Sequence, residues 1–262
     1  VKTAIVTGGS SGIGRAAALA LAGAGCSVYE ISRRSVPEQL VKHLTADVTD
    51  EEAVRQAVAQ VVQEAGQIDI LVCCAGFGIS GAVEFTDLAD AKRQLDVNFF
   101  GTVNAVRAVL PVMRTQGSGR IICTSSVAGA IPIPFQTYYS VSKAAINAFV
   151  RALRCEVAPY GITACAVMPG DIATGFTAAR QKSIAGDDVY GGRIARSVAG
   201  MEKDERGGGT PDKAGAFLAR RALQDSVRPL YTIGFKYQVG RWLADFLPKA
   251  LVGKIITGMY AK

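Results

Sequence analysis

The sequence predicts an α/β fold: a doubly wound, largely parallel sheet of seven strands with helices on both faces, followed by a helical C-terminal extension. Three observations carry this. Short β-rich runs alternate with longer helical patterns along most of the chain. A glycine-rich turn, "TGGSSGIG" (7–14), joins the first strand to the first helix. Hydrophobic residues make up 49% of the chain and the mean hydropathy is +0.24, which suits a sheet buried on both faces.

In chain order, "KTAIVT" (2–7) is the first strand, and "GRAAALALAGAG" (14–25) is an alanine-rich helix that ends in glycines. Further strands are expected at "SVYEIS" (27–32), "HLTADV" (43–48), "IDILVCC" (68–74), "RIICTSS" (120–126) and "ITACAVM" (162–168), with a final strand-and-helix pair over 211–233. Helical patterns fill 51–65, 87–114 and 136–158. Residues 171–210 break this rhythm with glycine pairs and mixed charges, and read as an irregular mobile lid. Thr210 and Pro211 then serve as N-cap and first-turn proline of a new helix. The tail, 235–262, places Trp242, Leu243, Phe246, Leu247, Val252, Ile255, Ile256 and Met259 three and four apart, as short amphipathic helices do. At 262 residues, one catalytic domain spanning 1–262 is the expectation.

Several function classes drop out on composition. No run of about 18 apolar residues exists to cross a bilayer, and the N-terminal "VKTAIVTGG" reads as strand and turn, so a cytoplasmic protein without a secretory signal is expected. The six cysteines form no C-x-x-C, and His43 is the single histidine, so neither a metal site nor a disulfide framework is expected. The net charge of +7 is scattered among acids, without a basic run interleaved with aromatics. That argues against nucleic acid as a partner and leaves part of the basicity to serve a phosphorylated cofactor.

The glycine turn also reads as G-x-S-x-G, but a Ser10 nucleophile would need a histidine base far downstream, and His43 lies between the second and third elements. A P-loop needs Lys-Ser or Lys-Thr after its second glycine, where this chain has Ile13. What remains is a dinucleotide cradle of Gly8, Ser10, Ser11, Gly12, Ile13 and Gly14, in which a pyrophosphate meets the free N–H groups of a helix N-terminus. At the end of the second strand stand Ser32, Arg33 and Arg34 with no acid. An acid there would bond a ribose 2′-hydroxyl; basic groups accept a 2′-phosphate, so NADP(H) is the expected cofactor.

In the second half, Tyr139 and Lys143 lie four apart in a helical stretch, on one face, where an ammonium lowers a tyrosine pKa by favouring the phenolate. Tyr138 has Ser142 at the equivalent spacing, which offers no charge. Ser126 closes a strand at the carboxyl edge of the sheet, and Asn98 sits in "LDVNFFG". Together with "TGGSSGIG", "ADV" (46–48), "CAG" (74–76), "DVNFFG" (96–101), "SS" (125–126), "YSVSK" (139–143) and "PGDIAT" (169–174), the chain resembles the compact branch of the short-chain dehydrogenase/reductase family over nearly its whole length. The resemblance implies a Rossmann fold and a tetrad of Asn98, Ser126, Tyr139 and Lys143. Tyr139 would exchange the proton of a carbonyl or hydroxyl, Ser126 would orient that oxygen, Lys143 would bind the nicotinamide ribose, and Asn98 would hold a water of a proton relay. It further implies cofactor contacts from Asp47, Val48, Ala75, Gly76, Pro169, Gly170, Ile172 and Thr174, with capping as the alternative for Asp47 and Thr174. A homodimer or higher homo-oligomer built on the helices at about 94–114 and 136–158 is also implied.

Three departures stand out. Cys73-Cys74 replaces an asparagine pair before Ala75-Gly76; Ser11 stands where many NADP-preferring relatives carry a cation; the tail runs past the usual last strand. The expected reaction is hydride transfer between NADP(H) and a carbonyl or secondary alcohol, on a small-molecule substrate such as a bulky apolar or hydroxysteroid-like ketone. The alternatives are an acyl-chain (3-oxoacyl-type) ketone and a non-catalytic NADP(H)-sensing protein; a sugar-nucleotide epimerase or dehydratase, which also uses Y-x-x-x-K, is disfavoured because those relatives need a longer C-terminal domain than this chain has room for. The tail walls the pocket, covers the domain or a partner subunit, or meets a membrane.

Overall fold

The computed structural model describes residues 1–35 and 38–261. The alternation of strand and helix begins with β1 (Thr3–Thr7), α1 (Gly12–Gly23), β2 (Ser27–Ser32), β3 (Val41–Thr45), α2 (Glu51–Ala65), β4 (Ile70–Cys73) and a short β5 (Ile79–Ser80). It continues with α3 (Leu88–Leu95), a π-helical turn (Asp96–Phe100), α4 (Gly101–Gln116), β6 (Gly119–Thr124), α5 (Thr137–Val157) and β7 (Ile162–Pro169). After these come α6 (Phe176–Ala179), β8 (Gln181–Lys182), α7 (Arg193–Arg206), α8 (Pro211–Leu223), β9 (Leu230–Ile233), α9 (Phe235–Phe246) and α10 (Lys249–Tyr260).

Seven strands form one parallel sheet in the order β3-β2-β1-β4-β6-β7-β9. The chain runs outward from β1 through β2 to β3, then returns to place β4 on the other side of β1. This reversal opens a crevice above the carboxyl ends of β1 and β4. One apolar core, including Ile5, Leu71, Val109 and Ile146, fills the face under α2, α4 and α5. A second, including Val6, Leu21, Val72 and Leu218, fills the face under α1 and α8. Both faces are covered, which is why β1 and β4 are buried at every position.

Local chemistry sets the ends of the helices. Asp50 caps α2 by accepting the Ala53 N–H at 3.0 Å, and Gly66 closes it at φ +74°. Thr210 caps α8 through the Lys213 N–H, ahead of Pro211 at the first turn, as its sequence predicts. Gly215 lets α8 lie directly on α1, because a Cβ there would strike the backbone of Ala16 and Ala17.

The structure corrects four boundaries. The third strand is Val41–Thr45, so Asp47 and Val48 lie in the turn beyond it, and β6 stops at Thr124, two residues before Ser126. The helix expected at 87–114 is interrupted by the π turn around Asn98. The lid is also more regular than its glycines imply. Ile194, Val198 and Met201 recur at helical spacing and bury one face of α7 in a small core with Phe135 and Ala261. The tail forms two helices as expected; its last residue, Lys262, lies outside the described residues.

Candidate active site

At the crevice the glycines answer steric demands. Gly8 has φ +69° and donates its N–H to Ile31 O at 2.8 Å, while a Cβ on it would sit 2.7 Å from Ala75 N. A Cβ on Gly14 would collide with the Gly8 carbonyl. Only with glycine at both positions can β1, the loop after β4 and α1 meet so closely. At the start of α1, Ser11 makes no side-chain cap bond among the described residues, and the first turn carries no acid. The N–H groups there face a cavity of about 1220 Å³ lined by Ser10, Ser11, Gly12 and Ile13, an arrangement that fits a pyrophosphate.

Ser32, Arg33 and Arg34 border the same cavity. Both guanidinium groups belong to exposed residues, and Arg33 stands 4.0 Å from Asp47. The acid of this strand, Glu30, lies two residues earlier, buried beneath Gly9 and hydrogen-bonded to His43 Nδ1. It therefore does not occupy the ribose position. Asp47 accepts from Thr49 N at 3.0 Å and Thr49 Oγ1 at 2.8 Å, and Thr174 accepts from Phe176 N at 3.2 Å, so each shapes a turn as well as lining the cavity. Val48, Ala75, Gly76, Pro169, Gly170 and Ile172 line it too. In place of the expected asparagine, Cys74 brings its Sγ to 3.1 Å from Thr124 Oγ1, tying β4 to β6, and burial pushes its thiol up to about 11.

Tyr139 and Lys143 project from α5 into the deep end. The Ser126 hydroxyl hydrogen-bonds the phenol of Tyr139 and accepts from Ala128 N at 3.1 Å. Lys143 Nζ donates to Thr124 O at 2.9 Å and lies 5.8 Å from the Tyr139 ring centroid. Asn98 lies behind the cavity wall, fully buried in the π turn. Its Oδ1 accepts from Phe77 N at 2.9 Å, and its Nδ2 donates to Phe77 O at 3.0 Å and Ser142 Oγ at 3.1 Å. Ser142 Oγ in turn donates to Tyr139 O at 2.7 Å. Asn98 thus fixes the Gly76–Phe77 segment against the tyrosine's own helix turn.

The electrostatics differ from the sequence expectation in one respect. Burial pushes the Tyr139 phenol up to about 12; the Ser126 hydrogen bond opposes this, and so does the charge of Arg180 rather than that of Lys143. Burial also lowers the Lys143 ammonium to about 8. The lysine is itself desolvated, with its proton directed at Thr124 O, which is why spacing alone misstates its effect on the phenol.

Arg180 escaped sequence reasoning because it sits in the lid, where no periodicity marks it. Its side chain is buried; it ion-pairs with Glu205, while Thr177 Oγ1 donates to the same carboxylate at 2.6 Å. Arg180 lies over the Phe176 ring at 5.6 Å, and Phe176 packs against Tyr139 at 5.7 Å. Asp171 and Tyr237 form a second such link, a hydrogen bond that ties the tail to the loop after β7. Tyr237 also packs on Gly170, where any Cβ would strike its ring. Beyond them Leu243, Leu247, Val252, Ile256 and Met259 of the tail extend the cavity as an aliphatic wall.

Comparison with known proteins places this geometry in context. The short chain dehydrogenase family model matches residues 2–185. A 3-ketodihydrosphingosine reductase of Bacteroides thetaiotaomicron is 42% identical over 250 residues, covering 92% of this chain and 93% of that protein. Dehydrogenase/reductase SDR family member 7B of Xenopus laevis is 30% identical over 261 residues, covering 93% and 77%. Among solved structures, a short-chain dehydrogenase from Streptomyces avermitilis superposes with a TM-score of 0.83 at 29% identity, covering 97% of this chain and 94% of that one.

Proposed function

The chain belongs to the short chain dehydrogenase family, and on that footing we propose that it is an NADP(H)-dependent reductase of a long-chain ketone of the 3-ketosphingoid type. The observation that carries the substrate class is the cavity. Its polar end holds Ser126 and Tyr139, and its far end is walled by the aliphatic side chains of α9 and α10. Asp171, which already accepts from Tyr237, and Asp204 also line it and complement an amino group beside the ketone of such a lipid. The similarity to the Bacteroides reductase favours this acyl-chain ketone over the hydroxysteroid-like substrate expected from the sequence.

The cradle of Gly8 to Gly14 would hold the pyrophosphate, Arg33 and Arg34 the 2′-phosphate, and Lys143 the nicotinamide ribose; once bound, the cofactor supplies hydride. The chain's own groups handle the proton. Ser126 and Tyr139 receive the carbonyl oxygen, and a phenol kept protonated by burial is poised to donate its hydrogen as negative charge develops there. The Ser126 hydrogen bond and the charge of Arg180 favour that transfer by lowering the phenol pKa, and Lys143 would hold the ribose while charged, below about pH 8. The molecule acts as a homodimer through α4, the π turn that leads into it, and α5, where Phe100 of the turn and Val141 of α5 are exposed.

The test is a panel of ketones with NADPH and NADH as donors: a 3-ketosphingoid base, a 3-oxoacyl thioester, a ketosteroid and a small hydrophilic ketone. The long-chain amino ketone is expected to have the highest kcat/KM, and a preference for the small hydrophilic ketone would overturn the reading.

A further inference from the structure

Helices α9 and α10 have two apolar sides. The inner one, including Leu243, Leu247, Val252 and Ile256, walls the cavity. The outer one, among the described residues, lines no part of that cavity. On α9, Phe235, Val239, Trp242 and Phe246 recur at intervals of four, three and four, so they share a face, and Phe235, Trp242 and Phe246 are 81%, 58% and 72% exposed. On α10, Leu251 is exposed away from the cavity, and Ile255 and Met259, four and eight residues on, are exposed at its rim. Neither helix buries a single residue among those described. An apolar face of this size, with three large aromatic rings, is unstable in water unless something covers it.

We propose that this outer face docks on an anionic lipid bilayer, from which the cavity takes its ketone. Charge selects the occupant. Of the cations in residues 235–261, Lys236 lies 3.8 Å from Asp171 and Arg241 pairs with Asp245, so Lys249 and Lys254 stand without a carboxylate partner among the described residues. A second copy seated on this face would bring the same excess of positive charge toward it, whereas an anionic surface neutralises the charge and accepts the rings at headgroup depth. Aromatic residues with an apolar body, such as Phe235, Trp242 and Phe246, suit that interface. Position supports the same occupant: Leu243, Leu247, Val252 and Ile256 of these two helices line the cavity, so a chain leaving the bilayer beside them is next to its apolar wall. The identity of the ketone rests on the proposed function; the docking itself does not.

Trp242 is the only tryptophan in the sequence and reports on the face directly. The full-length protein is mixed with phosphatidylcholine vesicles, with and without phosphatidylglycerol, and followed by tryptophan emission and co-sedimentation. A blue shift and pelleting with the anionic vesicles, both weakened by salt, are expected. Lys249→Glu with Lys254→Glu should weaken binding about tenfold or more, and Phe235→Ser should reduce pelleting. None of these three residues lines the cavity, so turnover of a short soluble ketone should stay unchanged and melting curves should report an intact fold. Equal binding to neutral vesicles, no binding to either, or a Trp242 already shielded from acrylamide in a vesicle-free dimer would each overturn the proposal. Docking without reduction of the long-chain ketone would overturn only the substrate assignment.

Discussion

Tyr139 is the side chain whose loss separates chemistry from binding. Tyr139→Phe removes one oxygen and leaves the cradle intact, so kcat should fall about 10² to 10⁴-fold while NADPH still binds, as fluorescence titration would show. Tyr138→Phe should turn over like the unmodified protein. Arg33 tests the cofactor. Charge-assisted bonds to a phosphate contribute about 1.5–3 kcal/mol, so Arg33→Ala should weaken NADPH about ten- to a hundredfold and leave NADH nearly unchanged. Burial of Lys143 carries a stability cost. Its folded pKa, about 8, lies below the ordinary 10.5, so the folded protein holds this proton less tightly than the unfolded chain does. The penalty is fully present below pH 8 and is relieved as pH rises from about 8 toward 10.5. Lys143→Met should therefore abolish turnover yet raise stability at pH 7 by about 1–2 kcal/mol, the lost bond to Thr124 O offsetting part of the gain. Denaturant melts at pH 7 and pH 10 should show that gain shrinking.

Among the elements, the lid depends on one buried ion pair. Arg180 anchors the strand-like segment after α6 to Glu205 of α7, and its ring contact with Phe176 places that aromatic against Tyr139. Removing one partner of a buried pair strands the other charge, so Arg180→Met should destabilise the protein by about 3–5 kcal/mol, while Arg180→Met with Glu205→Gln should recover much of it. A double-mutant cycle by calorimetry measures this coupling. An additive result would mean that the lid is held by its apolar contacts alone. The lid was legible in the sequence as an interruption, but not as a helix. Glycines at 186, 191 and 192 dominate its composition, whereas the face that fixes α7 is three residues, Ile194, Val198 and Met201, whose partners Phe135 and Ala261 are distant in sequence.

For the whole molecule, the expectation is a closed two-fold dimer through α4, the π turn that leads into it, and α5, which leaves Phe100 and Val141 exposed in the single chain. Light scattering at micromolar concentration should give twice the mass of 27.4 kDa, and Phe100→Glu with Val141→Glu should give a monomer. Because α9 and α10 carry their own unpaired apolar face, this dimer and bilayer docking use different surfaces and are separable by these substitutions.

The sequence by itself determined the sheet, the glycine cradle, and the order of Asn98, Ser126, Tyr139 and Lys143. These follow from local rules: backbone freedom at Gly8, apolar runs for strands buried on both faces, and a four-residue spacing on one helix. Tertiary structure alone decided the surroundings of those groups. It turned Asn98 away from the cavity toward Phe77, set the charge of Arg180 near the phenol, buried Lys143 until its ammonium weakened, and brought Tyr237 from the tail onto Gly170. Burial and long-range electrostatics depend on which distant segments pack together, and no local pattern of residues encodes that.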